Sequence, residues 1–360
     1  MLAIAQRLFE TEAETLYKRG KDSDQIPKLF AHFQEGTVLA VPSPQQQPLP
    51  ILKPTPIPMT KPAKTILASA STKNISIQKF KTVTVNTRGE IISRRQHQAE
   101  VMTENLGNGV TLEMVKIPAG RFLMGSPETE AKRRDSESPQ HYVDVPEFFM
   151  GKYLVTQAQW QAVMGKKNFW QVIMRTRNEN NPSRFKGTNR PVERVSWNNA
   201  TKFCQKLSQI TGKKYSLPTE SQWEYACRAR TSTPFYFGKT ITSELANFNG
   251  NYTYADEPEG KYRQETTDVG IFPPNSFGLY DMHGNVWEWC ADDWHDNYEG
   301  APTDGSVWLD GNDSYPLLRG GSWISYPYYC RSAYRSYDVR RDDLGNYIGF
   351  RIVCSGGITL

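Results

Sequence analysis

Eight prolines fall within the 21 residues from Pro42 to Pro62. A residue with no N–H donor and a locked φ is excluded from helix interiors and central strands, so no compact domain runs through this stretch. Interleaved with Gln, Lys and Thr, it reads as an extended, polyproline-type linker over residues 41–74. The chain is thereby divided. On the N-terminal side, Leu2, Ala5, Leu8, Phe9, Ala13, Leu16 and Tyr17 recur at helical spacing, which predicts a helical segment over residues 1–40 suited to docking on a partner chain. On the other side, Phe80–Val85 and Glu90–Ser93 flank Asn86-Thr87-Arg88-Gly89, the pattern of a β-hairpin over residues 75–104. Residues 105–360 form the main domain.

Composition narrows what that domain is. Aromatic residues make up 12% of the chain and all nine Trp lie beyond residue 159, which suits a loop-rich fold anchored by rings rather than a helical bundle. A net charge of +5 without a long basic run argues against nucleic acid. No stretch approaches the roughly 18 apolar residues that a membrane span needs. The start, Met1-Leu2-Ala3-Ile4 followed by Glu10, Glu12 and Glu14, lacks the charged and apolar regions of a secretory leader. Cys204, Cys227, Cys290, Cys330 and Cys354 are odd in number and show no metal-type pairing, so reduced thiols in a cytoplasmic protein are expected. The five histidines do not cluster either.

Within the main domain three helices are predicted. One starts at Thr156 with Ala158, Trp160 and Val163; one spans Trp197 to about Gln209 with Ala200, Phe203, Cys204 and Leu207 on one face. The third follows Leu217-Pro218, with Thr219 at its N-cap and Gln222 three residues on, the capping-box spacing. From Pro234 onward Gly, Asn, Asp and aromatic residues dominate, predicting long loops over a few strands.

Several collinear segments carry a resemblance. They are Gly120–Ser126, Tyr153–Gln157, Asn181-Pro182-Ser183-Arg184-Phe185, Pro191–Trp197, Leu217–Glu220 with Trp223–Ala226, Gly278–Trp289, Arg319-Gly320-Gly321-Ser322-Trp323 and Gly349-Phe350-Arg351. The ordered set resembles the formylglycine-generating-enzyme (sulfatase-modifying-factor) family, which implies an α+β, C-type-lectin-like fold, loop-rich with few regular strands. The resemblance further implies a copper(I) site of two cysteines, through which oxygen oxidises a substrate cysteine. Cys330 matches the second, but Ser325 stands at the first. A hydroxyl is a hard, weak ligand for a soft ion, so no copper and no formylglycine-generating activity are expected. Cys330 then reads as a small buried residue. A structural calcium ion is implied at Asp281, Gly284, Val286 and Glu288, although Asp281 and Glu288 equally suit turn capping and pairing with Arg. The resemblance also implies a second calcium site at Asn247 and Phe248 with an acidic residue that falls near Lys261, and that Lys argues against it.

The C-terminal stretch is closest to a non-catalytic branch of the family, the variable proteins of diversity-generating retroelements. There a reverse transcriptase rewrites Asn codons by mutating adenines, yielding Tyr, Ser, Asp, Ile and similar residues. Between Trp323, Pro327, Cys330–Ala333, Arg335 and Gly349–Arg351 stand Ile324, Ser325, Tyr326, Tyr328, Tyr329, Tyr334, Ser336, Tyr337, Asp338, Asn346 and Tyr347. Two readings of these residues are open. They form one exposed face that binds a ligand, expected to be a protein, because Tyr gives large contact area at low rotamer-entropy cost; or the tyrosines are packed into an aromatic-rich interior.

Overall fold

Asn86 turns the chain between the first two strands: its Oδ1 accepts from the N–H groups of Arg88 and Glu90 at 3.0 Å, and Gly89 takes φ +77°. The resulting antiparallel hairpin joins β1 (Ile75–Val85) and β2 (Ile91–Gly107), with Ile75 opposite Met102 and Val85 opposite Ile91. The computed structural model describes residues 75–165, 181–337 and 339–354. The expected N-terminal helical segment, the linker and Asp338 lie outside the described residues. β2 runs on past residue 104 and pairs with β3 (Val110–Ile117), so the hairpin and the main domain share one sheet.

That sheet has six strands in the order β1-β2-β3-β6-β11-β7, with β6 (Phe148–Gly151), β7 (Tyr215–Ser216) and β11 (Val353–Cys354). Strand alternation divides its side chains between two cores. From β3, Leu112 and Met114 enter one cluster and Val115 and Ile117 the other. The first cluster takes Trp160 and Val163 of α1 (Gln157–Met164) and Phe203 and Leu207 of α2 (Trp197–Thr211). The second takes Trp223, Ala226 and Cys227 of α3 (Glu220–Arg228). The first and third helices begin at the caps read for them, Thr156 and Thr219 making full capping boxes with Gln159 and Gln222, and α2, for which no cap was read, is capped by Ser196. A two-stranded ribbon, β4 (Gly120–Met124) with β5 (His141–Val145), and a three-stranded sheet of β8 (Trp287–Trp294), β9 (Asn312–Arg319) and β10 (Ile348–Gly349) complete the domain. Among the described residues no helix is long and apolar enough to cross a membrane.

Four arginines tie the C-terminal stretch to this frame, each wholly or almost wholly buried. Arg319 pairs with Glu224 and donates to the carbonyls of Ser332, Ala333 and Tyr334 at 2.8 Å. Arg331 holds Glu130 at 2.6 Å and both oxygens of Glu137 at 2.6 and 2.8 Å. Arg335 reaches Glu220 at 2.7 and 3.1 Å, and Arg351 reaches Glu288 at 2.6 and 3.0 Å. A planar guanidinium fork meets two carboxylate oxygens and several carbonyls at once, which is what makes a buried charge tolerable. Removing one partner strands the other. Arg331→Met should therefore lower unfolding stability by about 3–5 kcal/mol, read from denaturant titration, because Glu130 and Glu137 lose their shared cation.

Candidate functional site

The stretch after β9 begins with a close approach. Gly321 takes φ +74°, and a Cβ there would sit 2.5 Å from Cys330 Sγ, so only glycine lets the chain double back on itself. Ser325 closes the turn: its N–H donates to the Ser322 carbonyl at 3.0 Å, and its Oγ accepts from the Ser322 N–H at 3.0 Å and lies 3.0 Å from the Ser322 hydroxyl. A short 3-10 turn, Pro327–Cys330, follows. His283 supports it from beneath. Its Nδ1 lies 2.7 Å from the Cys330 carbonyl and its Nε2 accepts from the Tyr236 N–H, while burial pushes its pKa down to about 3 and keeps the ring neutral.

On this base stands an aromatic shelf. Tyr326 meets Tyr252 at 4.3 Å, Tyr328 at 5.8 Å and Tyr329 at 6.0 Å, and Tyr328 meets Tyr329 at 4.3 Å. Tyr326, Tyr328 and Tyr329 are half-buried, Tyr252 is 48% exposed and Ile324 46% exposed. Burial and the neighbouring Tyr329 push the Tyr328 phenol up, so it remains a neutral donor. Trp287 links the shelf to the last expected pair: its ring lies 6.4 Å from that of Tyr329, and its N–H donates to the Tyr347 carbonyl at 2.8 Å. The Asn346 carbonyl accepts from Trp323 Nε1 at 3.1 Å.

Other expected positions depart from a single exposed face. Tyr334 is only 2% exposed, packed on Trp287 and Tyr329 with the Arg134 guanidinium 4.9 Å from its ring. Ser325 is 7% exposed and engaged in its turn. Both are corrections to the exposed-face reading, for one reason: the stretch is too tightly anchored for every interposed side chain to turn outward. Ser336 pairs with Leu318 through two backbone hydrogen bonds, and Tyr337 stacks on Trp294 at 4.0 Å and meets Tyr315, apart from the Tyr326 shelf. Tyr252, Arg184 and Arg194 join this surface from other segments, and no pattern in the C-terminal stretch points to them.

Residues 98–355 match the family model described as the sulfatase-modifying factor enzyme 1-like domain. The chain belongs to the formylglycine-generating (sulfatase-modifying-factor) family. It is 29% identical over 288 residues to the mouse formylglycine-generating enzyme, covering 66% of this chain and 74% of the mouse protein. Among solved structures, PvdO from Pseudomonas aeruginosa is 34% identical with a TM-score of 0.59, covering 70% of this chain and 97% of PvdO. Variable protein 1 of Treponema denticola is 26% identical with a TM-score of 0.58, covering 71% of this chain and 98% of that protein.

Membership of the formylglycine-generating family implies a copper(I) site and a calcium site. For copper(I), Ser325 offers a hydroxyl, its Oγ already bonded to Ser322, and Cys330 is the one thiol of the implied pair, so a two-thiolate ligand set is lacking and the residues do not fit the ion. For calcium, Asp281 fits in part: its Oδ1 is buried without a hydrogen-bond partner, and burial pushes its carboxyl up to about 6. Glu288 does not fit, because both oxygens accept from Arg351, whose guanidinium also donates to the Tyr280 carbonyl at 2.9 Å. Glu288 is thus engaged by an arginine, one of the two arrangements the sequence left open for it. The cysteines are free and buried.

The geometry orders the tyrosines by cost. Tyr334→Ala should lower stability by about 3–5 kcal/mol, as for a buried aromatic, whereas Ile324→Ala should change it by less than about 0.5 kcal/mol. Thermal denaturation of the single variants checks the order, and equal losses at both positions would contradict it.

Proposed function

We propose that this domain is a non-catalytic binding protein that presents a tyrosine-rich face of its C-terminal stretch to a protein ligand, in the manner of the variable proteins of diversity-generating retroelements. One observation carries the reading. Between Arg319 and Arg351 the side chains that hold the fold are fully buried, whereas Ile324, Tyr326, Tyr328, Tyr329, Asn346 and Tyr347 are exposed or half-buried. A surface built this way can change its contact residues without changing its anchors. Tyrosine suits such a surface because it offers area and a hydroxyl at two rotatable angles. The likeness to variable protein 1 of Treponema denticola supports the same reading.

The second reading is oxidation of a protein cysteine to formylglycine, supported by the family and by the mouse relative. Ser325 speaks against it, because its hydroxyl stands where the implied copper pair needs a thiol and is bonded to Ser322. The two readings separate on one substitution. Ser325→Cys should raise copper(I) affinity by at least about tenfold in a competition with a chromophoric chelator, because it restores a second soft ligand. Strong copper(I) binding by the unaltered chain would instead favour the oxidase.

The display reading has its own test at the level of the gene. Sequencing its neighbourhood should reveal a near-copy of the codons for residues 319–353 that differs only where the copy carries adenine, beside a reverse-transcriptase gene. A neighbourhood without such a copy would return the chain to the ordinary members of the family.

A further inference from the structure

An open cavity of about 280 Å³ lies between the segment that carries Arg184 and Arg194 and the loop of Leu344, Gly345, Asn346 and Tyr347. Both arginines are exposed. Elsewhere in the same segments Arg190 is paired with Glu265 and Arg341 with Asp293. Among the described residues, neither Arg184 nor Arg194 has a carboxylate partner. The nearest acid in sequence, Glu193, is turned inward: its Oε1 accepts from the Phe185 N–H at 2.8 Å, its Oε2 is buried without a partner, and burial pushes its carboxyl up to about 7. Glu193 is close enough for Arg194 to feel its charge but forms no ion pair with it, so two guanidiniums without an ion-pair partner share one concavity.

Both are built in place. The Arg184 guanidinium lies 5.3 Å from the Phe185 ring, and that ring meets Trp323 edge-on at 5.4 Å. Trp323 in turn donates to the Asn346 carbonyl on the opposite wall. Arg194 adopts φ +58°, a left-handed conformation that costs a side-chain-bearing residue about 1 kcal/mol, and is held there by its N–H bond to the Gly345 carbonyl at 2.9 Å. The strain sits where the two walls meet.

We propose that this cavity receives the carboxylate side chains of an acidic segment of the protein ligand, with Arg184 and Arg194 as its anion-binding pair. The proposal rests on the reading of Asn346 and Tyr347 as part of the ligand-binding face and gives that face a chemistry. A guanidinium fork meets a carboxylate in two parallel hydrogen bonds, and an open concavity of this size accommodates one or two such side chains beside the tyrosine shelf. Phosphate presents the same kind of oxygens, but the chain lacks the long basic run that a polyphosphate backbone calls for.

The test uses the full chain and a fluorescein-labelled peptide carrying a run of glutamates flanked by tyrosine, with its glutamine counterpart as control, read by fluorescence anisotropy. Binding of the glutamate peptide should weaken at least about tenfold in Arg184→Gln and in Arg194→Gln, and should fall as salt rises past about 0.1 M. Arg194→Gly removes the charge while relieving the left-handed backbone, so equal loss in that variant, with an unchanged melting temperature, assigns the effect to charge. Absence of binding, equal binding of the glutamine peptide, binding indifferent to these substitutions, or preference for an oligonucleotide through the same arginines would each overturn the proposal. Binding that survives the arginine variants but is lost in Tyr328→Ala would place the peptide on the shelf, overturning the cavity while leaving the display reading intact. Glutamate-specific, arginine-dependent binding by a chain whose gene has no template copy would sink the retroelement reading and leave the cavity standing.

Discussion

The C-terminal stretch depends on buried arginine–glutamate pairing. A guanidinium with no carboxylate beside it would be too costly in these interiors, and a carboxylate without its arginine equally so, which makes each pair an obligate contact between segments far apart in the chain. Arg331 reaches back to Glu130 and Glu137, and Arg335 to Glu220 at the start of α3, the helix whose Glu224 also receives Arg319. Three of the four arginines thus converge on one helix and one loop. The irregular residues between them need little regular secondary structure, because their course is set by the anchors. The same logic accounts for Gly321 and His283, which let the chain approach closely and then fill the space beneath it with a neutral ring.

Local signals were the most legible part of the chain. Thr156 and Thr219 mark helix starts because capping is decided within three residues, and the spacing of Gln222 after Thr219 is a complete local instruction. The family fold was legible as well, through ordered motifs rather than periodicity. The continuity of β2 through residue 104 was not, since strand pairing with β3 is non-local. Nor was the division of the tyrosines: Tyr334 and Tyr328 stand in similar sequence surroundings, yet one is enclosed by Trp287 and Arg134 and the other is half-open. The departure from the copper motif was visible as Ser325, but its physical content, a hydroxyl closing a turn on Ser322, required coordinates. Arg184 and Arg194 carried no signal because an unpaired arginine is defined by what fails to stand near it.

Glu288 and Asp281 show how one set of residues supports two accounts. The sequence left calcium ligation and arginine pairing both open. Arg351 is bonded to both Glu288 oxygens and to the Tyr280 carbonyl, and so connects β8 to the C-terminal stretch. Asp281 remains the exception, with one buried oxygen unmatched.

Tyr334 sets a limit on how freely the stretch can vary. Ile324 lies outside the packed interior, so substitutions there leave folding largely untouched, whereas Tyr328 is half-buried with its ring packed on Tyr326 and Tyr329 and tolerates less. Tyr334 is wedged between two aromatic rings and an arginine, and most replacements would leave a void. The usable repertoire of such a surface is therefore smaller than its count of changeable codons. On the proposed display reading, each enclosed position would convert nominal diversity into unfolded chains, and the breadth of recognition would be governed by how few of those positions the stretch contains.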